Sequence, residues 1–340
     1  MGKRNIFLDY IRAAACILVV LYHYTWRVTE LFGHGQTWGV RVSWGYMAVA
    51  AFFMLSGYLA VVKDEGKLSL WSYGKKKILR LFPAYWVCIP ITFVVTTLVL
   101  PSRAVSLRDM LLNFTMLESF LGIGLVDGAY WTLANELIFY AFVALVVVIL
   151  KKRDKLPAFG FLWLLLLFVY QFMPGSGLLF AAVGKLIARQ YGHMFVFGAS
   201  LFFLTAPQTD KRMRRVSAVN LLLALVYQYL VFGVPYFAFF ALTGLLIAVC
   251  VKADSSGYVI PQNVRKILYP LEVIAAVSYP WYLIHQNVGY AIMHFEIQWF
   301  SASEWIILLP GIITFLIAYA IHRYIEIPIG KIAGKQNKPV

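Results

Sequence analysis

Acidic side chains are scarce in this chain: 15 Asp and Glu stand against 30 Lys and Arg in 340 residues. Charged residues of both signs make up only 13%, hydrophobic residues make up 61%, and the mean hydropathy is +0.76. So little charge cannot cover the surface of a soluble domain of this length, and the composition is that of a polytopic membrane protein. The net charge of +15 is no sign of nucleic-acid binding, because the basic residues fall in short clusters between apolar runs. Cysteine is equally sparse. Cys16, Cys88 and Cys250 are far apart, each in or beside an apolar run, which excludes a disulfide framework and shows no metal-ligand spacing. There is no clear internal repeat, no low-complexity tract and no stretch large enough for a soluble domain. Ala13-Ala14-Ala15-Cys16 resembles a lipoprotein cleavage site, but no apolar stretch precedes it and the segment runs on to Trp26, as a retained helix would.

What the chain has in abundance is apolar runs of spanning length. The pattern predicts ten helices, at 8–27, 44–62, 81–100, 130–150, 157–173, 192–208, 216–232, 235–251, 271–294 and 305–325. The stretch 174–191 is apolar but broken by Gly175, Gly177, Gly184, Lys185 and Arg189, and reads as an interfacial or re-entrant piece. With the N-terminus inside, 23 Lys and Arg fall on the inner side and six on the outer. That asymmetry predicts N-in and C-in by the positive-inside rule. The fold class is therefore all-α: a single polytopic membrane domain over 1–340.

Ionisable residues inside a span are costly and mark candidate sites. The first run carries two, Arg12 and His23, eleven residues apart. At about 100° per residue they face the same way, roughly 16 Å apart along the axis. Counted from the inner ends of their helices, His23, Glu136 and His285 each lie about fourteen residues up, roughly 21 Å deep. This predicts one polar layer of two imidazoles and a carboxylate, and a carboxylate beside a histidine makes a general base. A lower layer holds Arg12, Ser56-Gly57-Tyr58, Arg80 and Ser278-Tyr279-Pro280, with Lys75, Lys76 and Lys77 just below. It reads as an anion-binding vestibule facing the cytoplasm. Structural alternatives stand beside these readings. A span histidine can bridge helices, Glu136 can be a helix partner, the lysine cluster follows from topology alone, and Ser56-Gly57 is a close-packing pair rather than a nucleophile. His34, His193, His294 and His322 sit at span ends, as bystanders.

Six segments carry a resemblance. They are Leu8-Asp9-x-x-Arg12 followed by ten residues and His23; Phe52-Phe53-Met54-Leu55-Ser56-Gly57-Tyr58; Lys77-Ile78-Leu79-Arg80-Leu81-Phe82-Pro83; Trp131-Thr132-Leu133-Ala134-Asn135-Glu136 with Phe139-Tyr140; Ser278-Tyr279-Pro280 through His285; and Glu326-Ile327-Pro328. In this order they resemble the acyltransferase-3 family of integral membrane acyltransferases, which modify bacterial surface polysaccharides. The resemblance runs from Phe7 to about Lys331. Three positions depart from the family pattern: Lys77 replaces an arginine, Ala50 an acidic residue, and Thr132 a serine. The esterase-like C-terminal domain of some members is not expected here.

The resemblance implies an O-acetyltransferase in the bacterial inner membrane. Its donor is cytoplasmic acetyl-CoA and its acceptor a cell-envelope glycan or lipid-linked sugar. No metal is needed. Arg12, Lys77, Arg80, Ser56 and Tyr279 are the expected donor-binding residues. His23 is expected as base or transient acyl carrier, Glu136 as its orienter, and His285 as oxyanion stabiliser or acceptor ligand. Another acyl group, such as succinyl, would suit the same scaffold. The alternative from a different class is a proton-coupled transporter of a lipid-linked sugar, since intramembrane His, Glu and Arg also build proton relays.

Overall fold

The computed structural model describes residues 5–32, 41–62, 69–173, 175–299 and 307–332. His34, Lys3, Arg4, Lys63, Lys67, Lys335 and Lys338, which enter the expectations above, lie outside these residues. The described residues form helices and turns, with no strand among them. The principal helices are α1 (Ile6–Tyr22), α2 (Val49–Val62), α3 (Leu70–Val99), α4 (Trp131–Val143), α5 (Leu156–Phe172), α6 (Gly177–Leu186), α7 (Gly192–Thr205), α8 (Lys211–Phe232), α9 (Val234–Ser255), α10 (Gln262–Trp299) and α11 (Leu308–Ile321). Three of them are prolonged or followed by π-helical turns, at His23–Arg27, Ala144–Ile149 and His322–Glu326.

Nine helical segments among the described residues are long and apolar enough to cross a bilayer, so the chain is an all-α, multi-pass membrane protein. The tenth expected span, 192–208, is the fourteen-residue α7. At about 1.5 Å per residue it is roughly 21 Å long, shorter than a hydrocarbon core. It is apolar because it is enclosed: every residue from Gly192 to Leu201 is buried. The Gly-broken stretch 174–191 holds the ten-residue α6, which is shorter still. Two helices begin earlier than their hydropathy suggests. α3 starts at Leu70, where the Ser69 hydroxyl accepts from the Ser72 N–H at 3.2 Å. Lys75, Lys76, Lys77 and Arg80 are therefore helical residues, with Lys77 and Arg80 on one face at i, i+3. α10 starts at Gln262 and carries Pro270 and Pro280 in its interior.

The chain forms two compact units. The first comprises Met1–Arg12, Val49–Gly74 and Asn135–Arg265; the second comprises Ala13–Ala48, Lys75–Ala134 and Lys266–Val340. In the first, α7 packs among α2, α5, α8 and α9. It meets α2 backbone to backbone, where a Cβ on Gly57 would strike the Phe195 carbonyl and one on Gly198 the Met54 carbonyl. Phe195 stacks on Phe139 of α4 at 4.5 Å. The second unit holds most of α1 and α3 together with α10 and α11. There the Tyr279 hydroxyl of α10 donates to the Leu81 carbonyl of α3 at 2.9 Å, and the Cys16 thiol of α1 faces the Ser278 carbonyl at 3.7 Å.

Candidate active site

His23 is the first residue of the π-helical turn that follows α1. A π-turn inserts one residue into the helical repeat and re-aims the side chains around it, which is why such turns gather at functional sites. Within this turn the Thr25 hydroxyl donates to the Leu21 carbonyl at 2.7 Å and accepts from the Val42 N–H at 3.0 Å. The turn is thereby pinned to the chain that follows it.

The half-buried His23 ring has three aromatic neighbours in the second unit. Its Nδ1 lies 2.7 Å from the Tyr290 hydroxyl. Its ring meets His285 edge-on at 4.9 Å and Tyr22 at 5.0 Å. His285 is fully buried, and its Nδ1 is 2.8 Å from the Tyr282 carbonyl of its own helix. A carbonyl only accepts, so Nδ1 carries the proton and Nε2 presents a lone pair. That Nε2 is buried without a hydrogen-bond partner among the described residues. The Tyr24 hydroxyl donates to the His285 carbonyl at 2.8 Å, and only a glycine at 289 leaves room for the Tyr24 ring.

A second layer backs this pair on α10. The Arg103 guanidinium lies over the Tyr290 ring, 5.5 Å from its centroid, and its Nε donates to Asn287 Oδ1 at 2.6 Å. The Asn287 amide is oriented by its Nδ2, which donates to the Val126 carbonyl at 2.9 Å. Asp127, wholly buried, accepts from the Asn287 and Ala129 N–H groups, both at 2.9 Å. Burial pushes the Asp127 carboxyl up to about 6, against the pull of those two N–H groups and of the Arg103 charge. Gly128 lies against the Gln286 amide, where a Cβ would come within 2.6 Å of Nε2. Arg103 and Asp127 were not among the expected site residues. In the sequence Arg103 is an ordinary outer-loop charge and Asp127 an ordinary loop acid, and only Asn287, a polar residue two positions beyond His285, hinted at a network there.

The other expected residues sit as follows. Glu136, on α4 in the first unit, accepts at Oε1 from the Ser56 hydroxyl at 3.2 Å and from the Tyr140 hydroxyl one turn away. Ser56 is thus engaged as a donor to a carboxylate. Arg12, in the same unit, is ion-paired with Asp9 at 2.8 Å, one turn earlier on α1. Lys77, Arg80 and Tyr279 are in the second unit, and the Leu81 carbonyl that holds Tyr279 adjoins Arg80. Of the expected bystanders, His193 is buried with Nε2 2.7 Å from Gln228, and His322 pairs with Glu326 at 2.6 Å. Among the described residues no three His, Cys, Asp or Glu side chains gather as a metal site.

An imidazole fixed at one nitrogen and half-open at the other is the arrangement of a general base or acyl carrier. The family described as "Acyltransferase domain" matches residues 5–323, which include this cluster and all the expected site residues. The chain belongs to this acyltransferase family. It is also similar to the O-acetyltransferase OatA of Staphylococcus aureus. For strains NCTC 8325 / PS 47, COL and MRSA252 the identity is 25% over 364 residues, covering 95% of this chain and 57% of the relative. The chain thus spans little more than half the length of these relatives. No solved structure matches.

Proposed function

We propose that this member of the acyltransferase family moves an acetyl group from cytoplasmic acetyl-CoA to a hydroxyl of a cell-envelope glycan, in the bacterial cytoplasmic membrane. Family membership and the similarity to an O-acetyltransferase support the chemistry. The observation that carries the reading is His23. It opens the π-turn after α1, the helix that bears Arg12 eleven residues earlier; its Nδ1 is tied to Tyr290, and its ring faces His285. On an N-in reading, which the excess of Lys and Arg on the inner side supports, Arg12, Lys77 and Arg80 are the cations we assign to the donor's phosphates. The extended arm of the donor then carries the thioester toward His23.

If Tyr290 accepts from Nδ1–H, His23 Nε2 presents its lone pair. The acceptor hydroxyl gives its proton to that nitrogen while its oxygen attacks the thioester carbon. Collapse of the tetrahedral species expels CoA thiolate, which takes the proton back. The acyl-imidazole route uses the same nitrogen as nucleophile. His285, with Nδ1–H committed to a carbonyl, accepts at Nε2 when neutral, which suits an acceptor hydroxyl better than an oxyanion. Glu136, already taking two hydroxyl hydrogen bonds, is a positioning residue in this reading. Ser56 and Tyr279 are carried into this reading as donor-binding residues.

The test is turnover of radiolabelled acetyl-CoA by membrane vesicles of producing cells, with base-labile acetate on the envelope glycan as product. His23→Ala is expected to lower transfer by about 10²–10⁴-fold with the protein still inserted. Near wild-type acetylation by that variant would end the assignment.

A further inference from the structure

Acyl transfer needs two things at the reacting carbon: an acceptor for the hydroxyl proton, and donors for the oxygen that becomes negative. The two imidazoles supply the first and not the second. His285 offers a lone pair, its one N–H being held by the Tyr282 carbonyl. The Tyr290 hydroxyl, which accepts from His23 Nδ1–H in this tautomer, offers an uncharged O–H and no fixed positive charge. Arg27, one helical turn beyond His23, has its Nη1 paired with Glu30 at 2.7 Å.

Arg103 is different. A guanidinium has five N–H donors and stays charged at any pH of interest. Here Nε–H is spent on Asn287 at 2.6 Å, and among the described residues the Nη groups carry no hydrogen bond. The side chain is half-buried, not splayed into solvent. Its position is fixed from behind by a chain of contacts. Asn287 is oriented by Val126 and Asp127, and the guanidinium rests on the Tyr290 ring. The same ring lies 6.0 Å from the His23 ring, against 5.5 Å to the Arg103 Cζ. One phenol therefore neighbours both the base and a cation with unspent donors. A loop anchor needs only the Nε bond. A cation held in place with its fork free is a preorganised oxyanion site.

We propose that Arg103 is a catalytic residue whose Nη groups bind the carbonyl oxygen of the acetyl thioester and stabilise the oxyanion, with Asn287 and Asp127 as its positioning residues. The inference rests on the acetyl-transfer reading above. As the acceptor oxygen forms its bond to the carbonyl carbon, the C=O electron pair moves onto oxygen beside Arg103. When the C–S bond breaks, that pair returns to re-form C=O, and the CoA thiolate recovers the proton that His23 received from the hydroxyl.

The experiment is acetyl-CoA turnover in the same vesicles, corrected for the amount of inserted protein. Arg103→Gln is expected to lower kcat by about 10²–10³-fold, the loss typical of one oxyanion donor, with the acetyl-CoA KM within about twofold of wild type. Arg103→Lys should recover part of kcat through its charge. Guanidinium ion added to Arg103→Ala should raise the rate saturably, an effect that a merely structural loop anchor does not give. A kcat for Arg103→Gln within about twofold of wild type overturns the proposal. So does a loss carried wholly by KM, which would mark a ground-state anchor, and so does inserted protein that neither lysine nor guanidinium rescues. If wild-type vesicles transfer no acetate from acetyl-CoA, the donor reading itself has failed, and the wild-type control alone reveals it.

Discussion

Replacing Tyr290 by Phe removes one oxygen and leaves the ring in place, so packing against His23 and the cation–π contact with Arg103 survive. What is lost is the hydrogen bond at 2.7 Å to His23 Nδ1. A neutral hydrogen bond is worth roughly 0.5–1.5 kcal/mol net and one to a charged group roughly 1.5–3. Only the difference between transition state and ground state changes the rate. As His23 takes the acceptor's proton it becomes an imidazolium, and its bond to Tyr290 strengthens by about 1–1.5 kcal/mol. At about 1.36 kcal/mol per tenfold, Tyr290→Phe should lower kcat by about 5–13-fold and leave the acetyl-CoA KM unchanged. Acetyl-CoA turnover in vesicles, at matched protein, measures both. A Phe variant with unaltered kcat refutes the idea that His23 gains positive charge while held by Tyr290. An effect confined to KM refutes it equally.

Two further outcomes follow from the fold. Gly198→Ala should lower the thermal unfolding midpoint of the purified protein, because its Cβ would run into the Met54 backbone and force α2 and α7 apart; overpacking of this kind costs about 1–3 kcal/mol, and an unshifted midpoint would show that the helices part freely. Burial pushes the Glu118 carboxyl, whose Oε1 accepts from Tyr85 at 3.3 Å, up to about 7 from its usual 4.5. The folded state then holds this proton more tightly than the unfolded state, so stability falls as pH rises from about 4.5 to about 7. Glu118→Gln should flatten that part of the midpoint-against-pH curve, and a curve identical to wild type would sink the assignment.

The membrane class and most spans were legible because hydropathy reports the lipid-facing surface directly. α7 is apolar as well, but it is enclosed by protein, and its fourteen residues make it shorter than the other expected spans. The early start of α3 was hidden by its charges: Lys75 to Arg80 read as a loop, yet their intrinsic helix preference and the Ser69 cap carry the helix through them. The chemistry-bearing residues His23 and His285 were legible as costly groups in apolar runs. Their partners were not. Asp9, named only as part of a motif, is the counter-ion of Arg12. Arg103 and Asp127 lie in a connecting segment where polar residues are unremarkable, and only the three-dimensional path back to Asn287 gives them meaning.

The division of labour around His23 turns on protons, which no sequence displays. Two imidazoles at 4.9 Å could both be bases, or one a base and one an acid. The Tyr282 carbonyl decides for His285: by taking the Nδ1 proton it makes Nε2 an acceptor, so a neutral His285 cannot donate to an oxyanion. Protonating it would place a second cation beside the nitrogen that must itself become positive, and like charges so close oppose one another. An acceptor-rich pair of this kind binds and deprotonates a hydroxyl well and stabilises an oxyanion poorly. The missing donor has to be a group whose charge does not depend on either ring, and on the same tyrosine the structure holds a guanidinium. Exchanging the roles would require the fully buried His285 ring to give up its Nδ1–H bond to the Tyr282 carbonyl.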